Sequence, residues 1–328
     1  MNNQPFVSAI IPTYNREKLL PAAIDSVINQ TYQNWELIIV DDRSTDNTEK
    51  LVHEYMEKDK RIRYVKNTHR QGAGGARNQG IEAAGGGYIA FLDSDDEWMS
   101  FHLERMVYYL TKYPDKIDLM SADTILKIKP GGKVIRYSKV DVKKCRHFKL
   151  EGTYIFDTKY AFDNILRGNI YYISSAVYKK EIFRNIRFQE DLYIKQDHFL
   201  SLEIGYNKFK QGHLREEHFI YWVHEDNRCF FQDIFPKSLD EQIGVWLSLE
   251  QFDRKVLERF RLTSRQRHWA RSHLAHLCFW MLGYNGYLQL KNYEKAKEYF
   301  LKGLKLQPFN LAFHKTYIAR IILRMPPE

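Results

Sequence analysis

Residues 88–98 read YIAFLDSDDEW. The first five are apolar and follow Gly85, Gly86 and Gly87, so they form a short buried strand whose carboxyl end opens at Asp93. Asp93, Asp95, Asp96 and Glu97 then crowd four acids into five positions. Such carboxylates repel one another unless solvent screens them or a cation sits among them, and hard oxygen ligands suit Mg2+ or Mn2+. The plainer alternative is an acidic turn in which Asp96 and Glu97 cap the helix whose pattern runs from Phe101 to Leu110.

Through the first hundred residues, strand-like and helix-like segments alternate. Phe6 to Ile11, Trp35 to Val40, Ile62 to Val65 and Tyr88 to Leu92 are apolar runs; Lys18 to Asn29, Asp46 to Lys58 and Ala76 to Ala84 have helical spacing. The alternation predicts an α/β fold, a mostly parallel sheet flanked by helices, with ligands bound at the carboxyl ends of the strands. The polar clusters PTYNR at 12–16, DDRS at 41–44 and DSDD at 93–96 all fall at such ends. Two other readings of this pattern fail. GAGG from Gly72 imitates a dinucleotide-binding turn, but the third glycine position is Arg77, which leaves the close helix-to-strand packing unsupported. LIIVDD imitates a receiver domain, yet the middle strand from Ile62 ends in VKNTHR, with no acid to accept a phosphoryl group.

At 328 residues, with 22 Tyr and 20 Phe, the chain has material for a large core and a smaller second one. Cys145, Cys229 and Cys278 lie far apart without metal-ligand spacing, which argues against disulfides and zinc. No apolar run is long enough to span a membrane, and the first residues do not read as a signal peptide, so the expected location is cytoplasmic. The net charge is +9, and from Asp240 onward 15 Lys and Arg face 8 Asp and Glu, which leaves only +2 for the first 239 residues. That asymmetry predicts a C-terminal part that faces either something anionic or only solvent.

Three stretches in order carry a resemblance: VSAIIPTYNREKLLPAAIDSVINQTYQNWELIIVDDRSTDNT from Val7, GAGGARNQGIEAAGGGYIAFLDSDDEW from Gly72, and IKQDHFLSL from Ile194. Together they resemble the inverting family 2 glycosyltransferases, which use the GT-A nucleotide-sugar-binding fold, over about Val7 to His224. The resemblance implies a metal-dependent transfer from a nucleotide-sugar, a UDP-sugar above all, to a glycan or lipid-linked acceptor in bacterial surface polysaccharide synthesis, with Mn2+ or Mg2+ as cofactor. It implies that Tyr14 packs on uracil while Pro12, Thr13 and Asn15 surround it, and that Asp42 accepts from the uracil N3–H. Arg77 would lie near the donor diphosphate or orient an acid; Asp93 would touch ribose or the donor sugar, with Ser94 beside it; Asp95 would hold the metal. The base that takes the acceptor proton would be Asp197, although the family's acidic pair is here Gln196-Asp197 and Glu190-Asp191 is a rival. In YWVHEDNR, His224 would serve the metal or diphosphate and Arg228 a phosphate, and RGNIYYISSAVYKKEIF from Arg167 would lie near the acceptor. A catalytically silent nucleotide-sugar-binding or scaffold protein, acting through its tail, is the alternative of another class.

These readings divide the chain into a catalytic domain, 1–238, and a basic α-helical region, 239–328. Trp280, Tyr287, Ala296, Phe300 and Pro308 resemble one tetratricopeptide repeat, although Gly283, Tyr284 and Gly303 depart from it. One repeat cannot bury a solenoid core, so the expectation is a helical hairpin packed on neighbouring helices, or an oligomer contact. RKVLERFRLTSRQRHWARSH and YIARIILRMPP combine basic and apolar residues suited to peripheral attachment at an anionic lipid surface, on the cytoplasmic face of the inner membrane. No nucleic-acid-reading motif accompanies them.

Overall fold

The computed structural model describes residues 4–128, 133–137, 140–168, 171–224 and 238–323. The chain forms two compact units, Met1–Asp191 with Gln196–Asn227, and Leu192–Lys195 with Arg228–Glu328.

The first unit is built on an eleven-stranded sheet. Strands β1 (Val7–Thr13), β2 (Trp35–Asp41), β3 (Ile62–Lys66) and β4 (Tyr88–Phe91) are parallel, in the order β3-β2-β1-β4. Every residue of β1 and β2 is buried, as strands covered on both faces must be. Helices α1 (Leu20–Ile28), α2 (Thr48–Lys58) and α3 (Ala73–Ala83) join them. The close packing of α3 on β1 comes from Gly80, where an added Cβ would stand 2.4 Å from Ile10 Cγ2. Beyond β4 the sheet becomes mixed. β10 (Val177–Lys179) runs antiparallel to β4, followed by β6 (Leu119–Ile128), β11 (Gln211–Val223), β9 (Thr153–Phe156) and β8 (His147–Leu150).

The acids after β4 do not cap a helix. Glu97 and Trp98 form the short strand β5 (Glu97–Trp98) paired with β11, whereas α4 (His102–Lys112) begins five residues after Glu97, behind Phe101, with no side-chain cap. The capping alternative for Asp96 and Glu97 is therefore overturned, because a strand pairing claims this segment first.

The second unit is helical. Capping boxes start α7 (Leu239–Arg259), through Ser238 and Glu241, and α8 (Ser264–His276), through Thr263 and Gln266. The chain continues from α8 through Leu277–Leu288 with a wider, π-type winding, then into α9 (Tyr293–Leu306) and α10 (Leu311–Tyr317). Gly283 faces Phe300 and Gly303 faces Phe279, so the two segments form an antiparallel hairpin; Phe279 also stacks on Phe313 at 4.0 Å. Its core joins Ile243 and Trp246 of α7 to Leu274 of α8 and Phe300 of α9. Cys145 and Cys278 are buried thiols, and burial pushes them up to about 11 and about 12. Cys229 lies outside the described residues. No helix among the described residues is long and apolar enough to cross a membrane.

Candidate active site

The carboxyl ends of β1, β2 and β4 converge, because parallel neighbours end side by side. The Asp42 N–H donates to Thr13 O at 2.8 Å, which locks the first two ends together. Pro12 stands opposite Val40 in the β1–β2 ladder, beyond the last β1–β4 pair at Ile10 and Phe91. Asn15 turns the chain with a left-handed φ of 51°, and its Oδ1 accepts from the Thr45 N–H at 2.8 Å. This leaves Tyr14 standing 41% exposed at the strand end, free to lie against a planar group, while Thr13 Oγ1 is buried with no partner among the described residues. Asp42 is more constrained than its sequence reading suggests: Oδ1 accepts from Asn67 Nδ2 at 2.6 Å and Oδ2 from the Gly72 N–H at 2.7 Å. Each oxygen keeps a second lone pair. Gly72, at φ 129°, adopts a backbone that favours glycine as it delivers that N–H.

The four acids of DSDDE separate into two pairs. Asp93 Oδ1 accepts from Arg77 Nη2 at 2.6 Å, and Asp95 Oδ2 lies 3.3 Å from His224 Nε2 and 4.0 Å from Arg16 Nη2. Asp96, by contrast, accepts from the Trp222 N–H at 3.2 Å and from Ser174 Oγ at 3.4 Å, and Glu97 accepts from the Trp222 indole N–H at 2.7 Å. The second pair therefore ties β11 to the acidic turn. Ser94, between Asp93 and Asp95 in sequence, is buried.

Electrostatics follow the same division. Burial raises Asp93 above the usual carboxylate range, opposed by Arg77 and reinforced by Asp95. Burial raises Asp96 much further, with the charges of Asp95 and Asp93 acting in the same sense. Asp95 is lowered: burial works against its charge, but the His224 hydrogen bond and the Arg16 and His224 charges outweigh it. Of Asp93, Asp95 and Asp96, Asp95 is thus the one whose surroundings favour the charged form.

Arg77, buried in α3, makes the connection to the third sequence cluster. Its Nη1 reaches Gln196 Oε1 at 3.4 Å while Nη2 holds Asp93, and its guanidinium lies 5.3 Å from the Phe188 ring centre. Gln196 opens α6 (Gln196–Tyr206), and the half-buried Asp197 follows it. The charge of Asp197 is felt at Asp93, which brings the acidic turn and the start of α6 into one electrostatic site. Where the family resemblance expects an acid, Gln196 instead offers a neutral acceptor to Arg77. Of the rival pair, Glu190 is engaged elsewhere: it meets His69 Nδ1 at 2.8 Å, Asn78 Nδ2 at 2.8 Å and the Arg70 N–H at 3.2 Å.

Asp95 and His224 supply one carboxylate and one imidazole to the same point, a donor set that Mn2+ accepts and that diphosphate oxygens and water would complete. Among the described residues no group of three or more His, Cys, Asp or Glu is placed to hold a metal ion. Arg228 lies outside the described residues. Sequence reasoning missed Ser174, Arg16 and Trp222. Arg16 lies inside PTYNR and could have been suspected, whereas Ser174 and Trp222 reach the turn only through the fold.

The model of the family described as "Glycosyl transferase family 2" matches residues 8–187. The UDP-Glc:alpha-D-GlcNAc-diphosphoundecaprenol beta-1,3-glucosyltransferase WfgD of Escherichia coli is 47% identical over 106 residues, 32% of this chain and 41% of that protein. This chain thus spans about two fifths of that relative's length. Among solved structures, S. aureus TarS 1-349 in complex with UDP-GlcNAc superposes with a TM-score of 0.61 at 16% identity, over 98% of this chain and 93% of that one. The mannosyltransferase PcManGT from Pyrobaculum calidifontis, in complex with GDP-Man and Mn2+, gives a TM-score of 0.54 at 18% identity, over 98% of this chain and 81% of that one. At these identities the likeness to the two structures is one of fold.

Proposed function

This chain belongs to glycosyl transferase family 2, and from that premise we propose that it transfers a sugar with inversion from a UDP-sugar to a hydroxyl of a glycan or lipid-linked saccharide in bacterial surface polysaccharide synthesis. The name of the Escherichia coli relative, with its UDP-Glc donor and diphosphoundecaprenol acceptor, and the UDP-GlcNAc held by TarS support the donor and acceptor classes. One observation carries the reading: a single buried side chain, Arg77, bonds both Asp93 of the acidic turn and Gln196, the residue next to Asp197 at the start of α6. The catalytic work is assigned to residues 1–238 and a separate role to residues 239–328.

In this reading Tyr14 stacks on the uracil, with Pro12, Thr13 and Asn15 shaping its surroundings, and the Thr13 hydroxyl gives its unmet hydrogen bond to the donor. Asp42 accepts from the uracil N3–H with a remaining lone pair. Asp93, oriented by Arg77, accepts from a donor hydroxyl, and Ser94 lines the same wall. Asp197 takes the proton from the acceptor hydroxyl as its oxygen bonds to the anomeric carbon on the face opposite the diphosphate; the carbon–oxygen bond to the diphosphate breaks and UDP leaves. Asp95 and His224 would hold Mn2+ or Mg2+, which when bound neutralises charge on the departing diphosphate.

The test starts with the metal. Asp95→Asn removes an anionic oxygen from a hard-cation site, so calorimetric titration of UDP should lose its dependence on Mn2+. Unaltered dependence would move the ligand to another residue. If the intact protein transferred no sugar from any of a panel of nucleotide-sugars, the silent-binder alternative would take its place.

A further inference from the structure

One concave surface of the helical unit has no part in this chemistry. The start of α8 and the turn after α9 enclose a groove of ≈ 640 Å³ whose lining includes Leu262, Arg267, His268, Arg271, Pro308 and Phe309. Gln307 Nε2 donates to Ser272 Oγ at 2.8 Å, which fixes the turn against the helix, so the groove is a built feature of the unit.

Its two kinds of lining residue are hard to explain as solvated surface. Phe309 in the lining is 93% exposed and Leu311, outside the lining but two residues on, is 73% exposed, so large apolar side chains stand in water at this corner. Beside them Arg265, Arg267, His268 and Arg271 are all exposed on α8. No Asp or Glu occurs from Phe260 to Tyr293 or from Tyr299 to Leu323, so neither stretch contains an acid to neutralise these cations. The Thr263–Gln266 capping box already satisfies backbone donors at the start of α8, and the guanidinium groups are left to meet any anion.

We propose that this groove docks the protein onto an anionic phospholipid surface, with Arg267 and Arg271 on headgroup phosphates and Phe309 and Leu311 at the acyl boundary. A free anion would engage the arginines but give the exposed phenylalanine nothing; a charged interface satisfies both. The inference extends the reading of a lipid-linked acceptor without depending on it, because membrane binding can be read with no sugar donor present.

The experiment is co-sedimentation of the full chain with vesicles of phosphatidylcholine alone, or of equal parts phosphatidylcholine and phosphatidylglycerol. Binding should require the anionic lipid and fall with salt. Each basic side chain near such a surface accounts for a factor of about five, so the double variant Arg267→Glu/Arg271→Glu should lower partitioning by roughly twenty-fold or more. Phe309→Ser should lower it severalfold. Lys50→Glu/Lys58→Glu changes the net charge equally on exposed positions of the other unit and should leave binding nearly unchanged. Should the charge reversal lower the melting temperature, Arg267→Gln/Arg271→Gln supplies the reading instead, with a smaller loss expected. Equal losses in the control, equal binding to neutral vesicles, or no binding at all would overturn the proposal. So would a concentration-dependent dimer that Phe309→Ser abolishes without any vesicle binding, since a second copy would then cover the groove. UDP titration of the same variants should be unchanged, which separates failure of this proposal from failure of the proposed transfer.

Discussion

The interiors of the two units are made of different material. In the sheet unit Arg77, Asp42, Asp96, His102, His213 and His218 are buried with 21 other polar or charged residues, while among the described residues Asp253 is the one buried polar or charged side chain of the helical unit. The helical core is instead a stack of rings and glycines: Phe279 on Phe313, Gly283 against Phe300, Gly303 against Phe279. A buried polar group without a partner costs about 1–3 kcal/mol, so a region that retains many of them must bond nearly all. In the sheet unit that bonding is what aims side chains: Arg77 aims Asp93, and Trp222 and Ser174 immobilise Asp96. The helical unit turns Arg265, Arg267, His268 and Arg271 of α8 outward to solvent. Side chains held by a bonded polar interior suit chemistry, and charge carried on an outer helix suits contact with a surface.

The largest expected effect tests whether the polar interior serves a reaction. Asp197→Asn keeps size and hydrogen-bonding reach but cannot accept the acceptor's proton, so transfer should fall by roughly 10²- to 10⁴-fold while UDP affinity persists. Asp191→Asn, from the rival pair, should transfer at nearly the normal rate. Steady-state transfer rates and UDP titrations of both variants check this. A normal rate at 197 with a dead variant at 191 would hand the role to Asp191, and two active variants would leave the polar interior without its base.

Acid should next separate the units. His218 is fully buried in β11 and burial holds it down at about 4, with His102 Nδ1 3.2 Å away; Glu216 pulls it upward, and Arg105 and His213 push it down. His102, also buried, is lowered for the same first reason. With its folded value below the unfolded one, His218 takes its proton first in the unfolded chain. Stability contributed here is complete above about pH 6.5 and is lost as pH falls toward about 4, by at most about 3 kcal/mol. In the helical unit the signs oppose. The Asp253 bond raises His273, whose stabilisation is present at low pH and lost as pH rises through its folded value, whereas burial lowers His276. Both are partly exposed and their effects are small. Hydrogen exchange, corrected for intrinsic rates, should therefore show β11 losing protection between about pH 7 and about pH 5 while Leu277–Leu288 keeps it. Equal losses in both would dissolve the contrast.

How much of this was legible in the sequence differs between the same two regions. The first four strands, their intervening helices and the polar clusters at their ends were readable because each is local: an apolar run, then a helical period, then turn residues. The partners of the acids were not. The resemblance sets Asp93 and Asp95 apart from Asp96 and Glu97, but what holds the second pair is β11, about a hundred and twenty residues away. Long separations also hid Ser174, whose segment offered no individual signal, and the Arg77–Gln196 contact that gives the substituted glutamine a partner. The mixed half of the sheet is likewise not legible, because β10 is three residues long and the pairing of β11 with β6 is bulged between Leu214 and Phe219. In the helical unit the hairpin was legible from its aromatic spacing, but the π-type winding was not; nothing in LCFWMLGYNGYL announces it.

The smallest effects examine the helical core itself. If that core is held by ring and backbone contact, two helix glycines should respond in opposite directions to the same substitution. At Gly303 an added Cβ would stand 2.7 Å from Phe279 Cβ and 3.1 Å from Ala275 O, and Phe279 cannot retreat without disturbing its stack on Phe313. Overpacking of this kind costs about 1–3 kcal/mol, so Gly303→Ala should destabilise even after the helix propensity gained. Gly244, exposed on α7, has no heavy atom within 4 Å of the added Cβ. There Gly244→Ala meets no obstacle and should stabilise by up to about 1 kcal/mol, because alanine gives up less backbone freedom on folding. Urea denaturation of the pair gives both signs in one experiment. Stabilisation at both positions would mean that the hairpin can shift to admit a methyl group, and the helical unit would then owe its order to something other than the close fit of Phe279, Phe300 and Phe313.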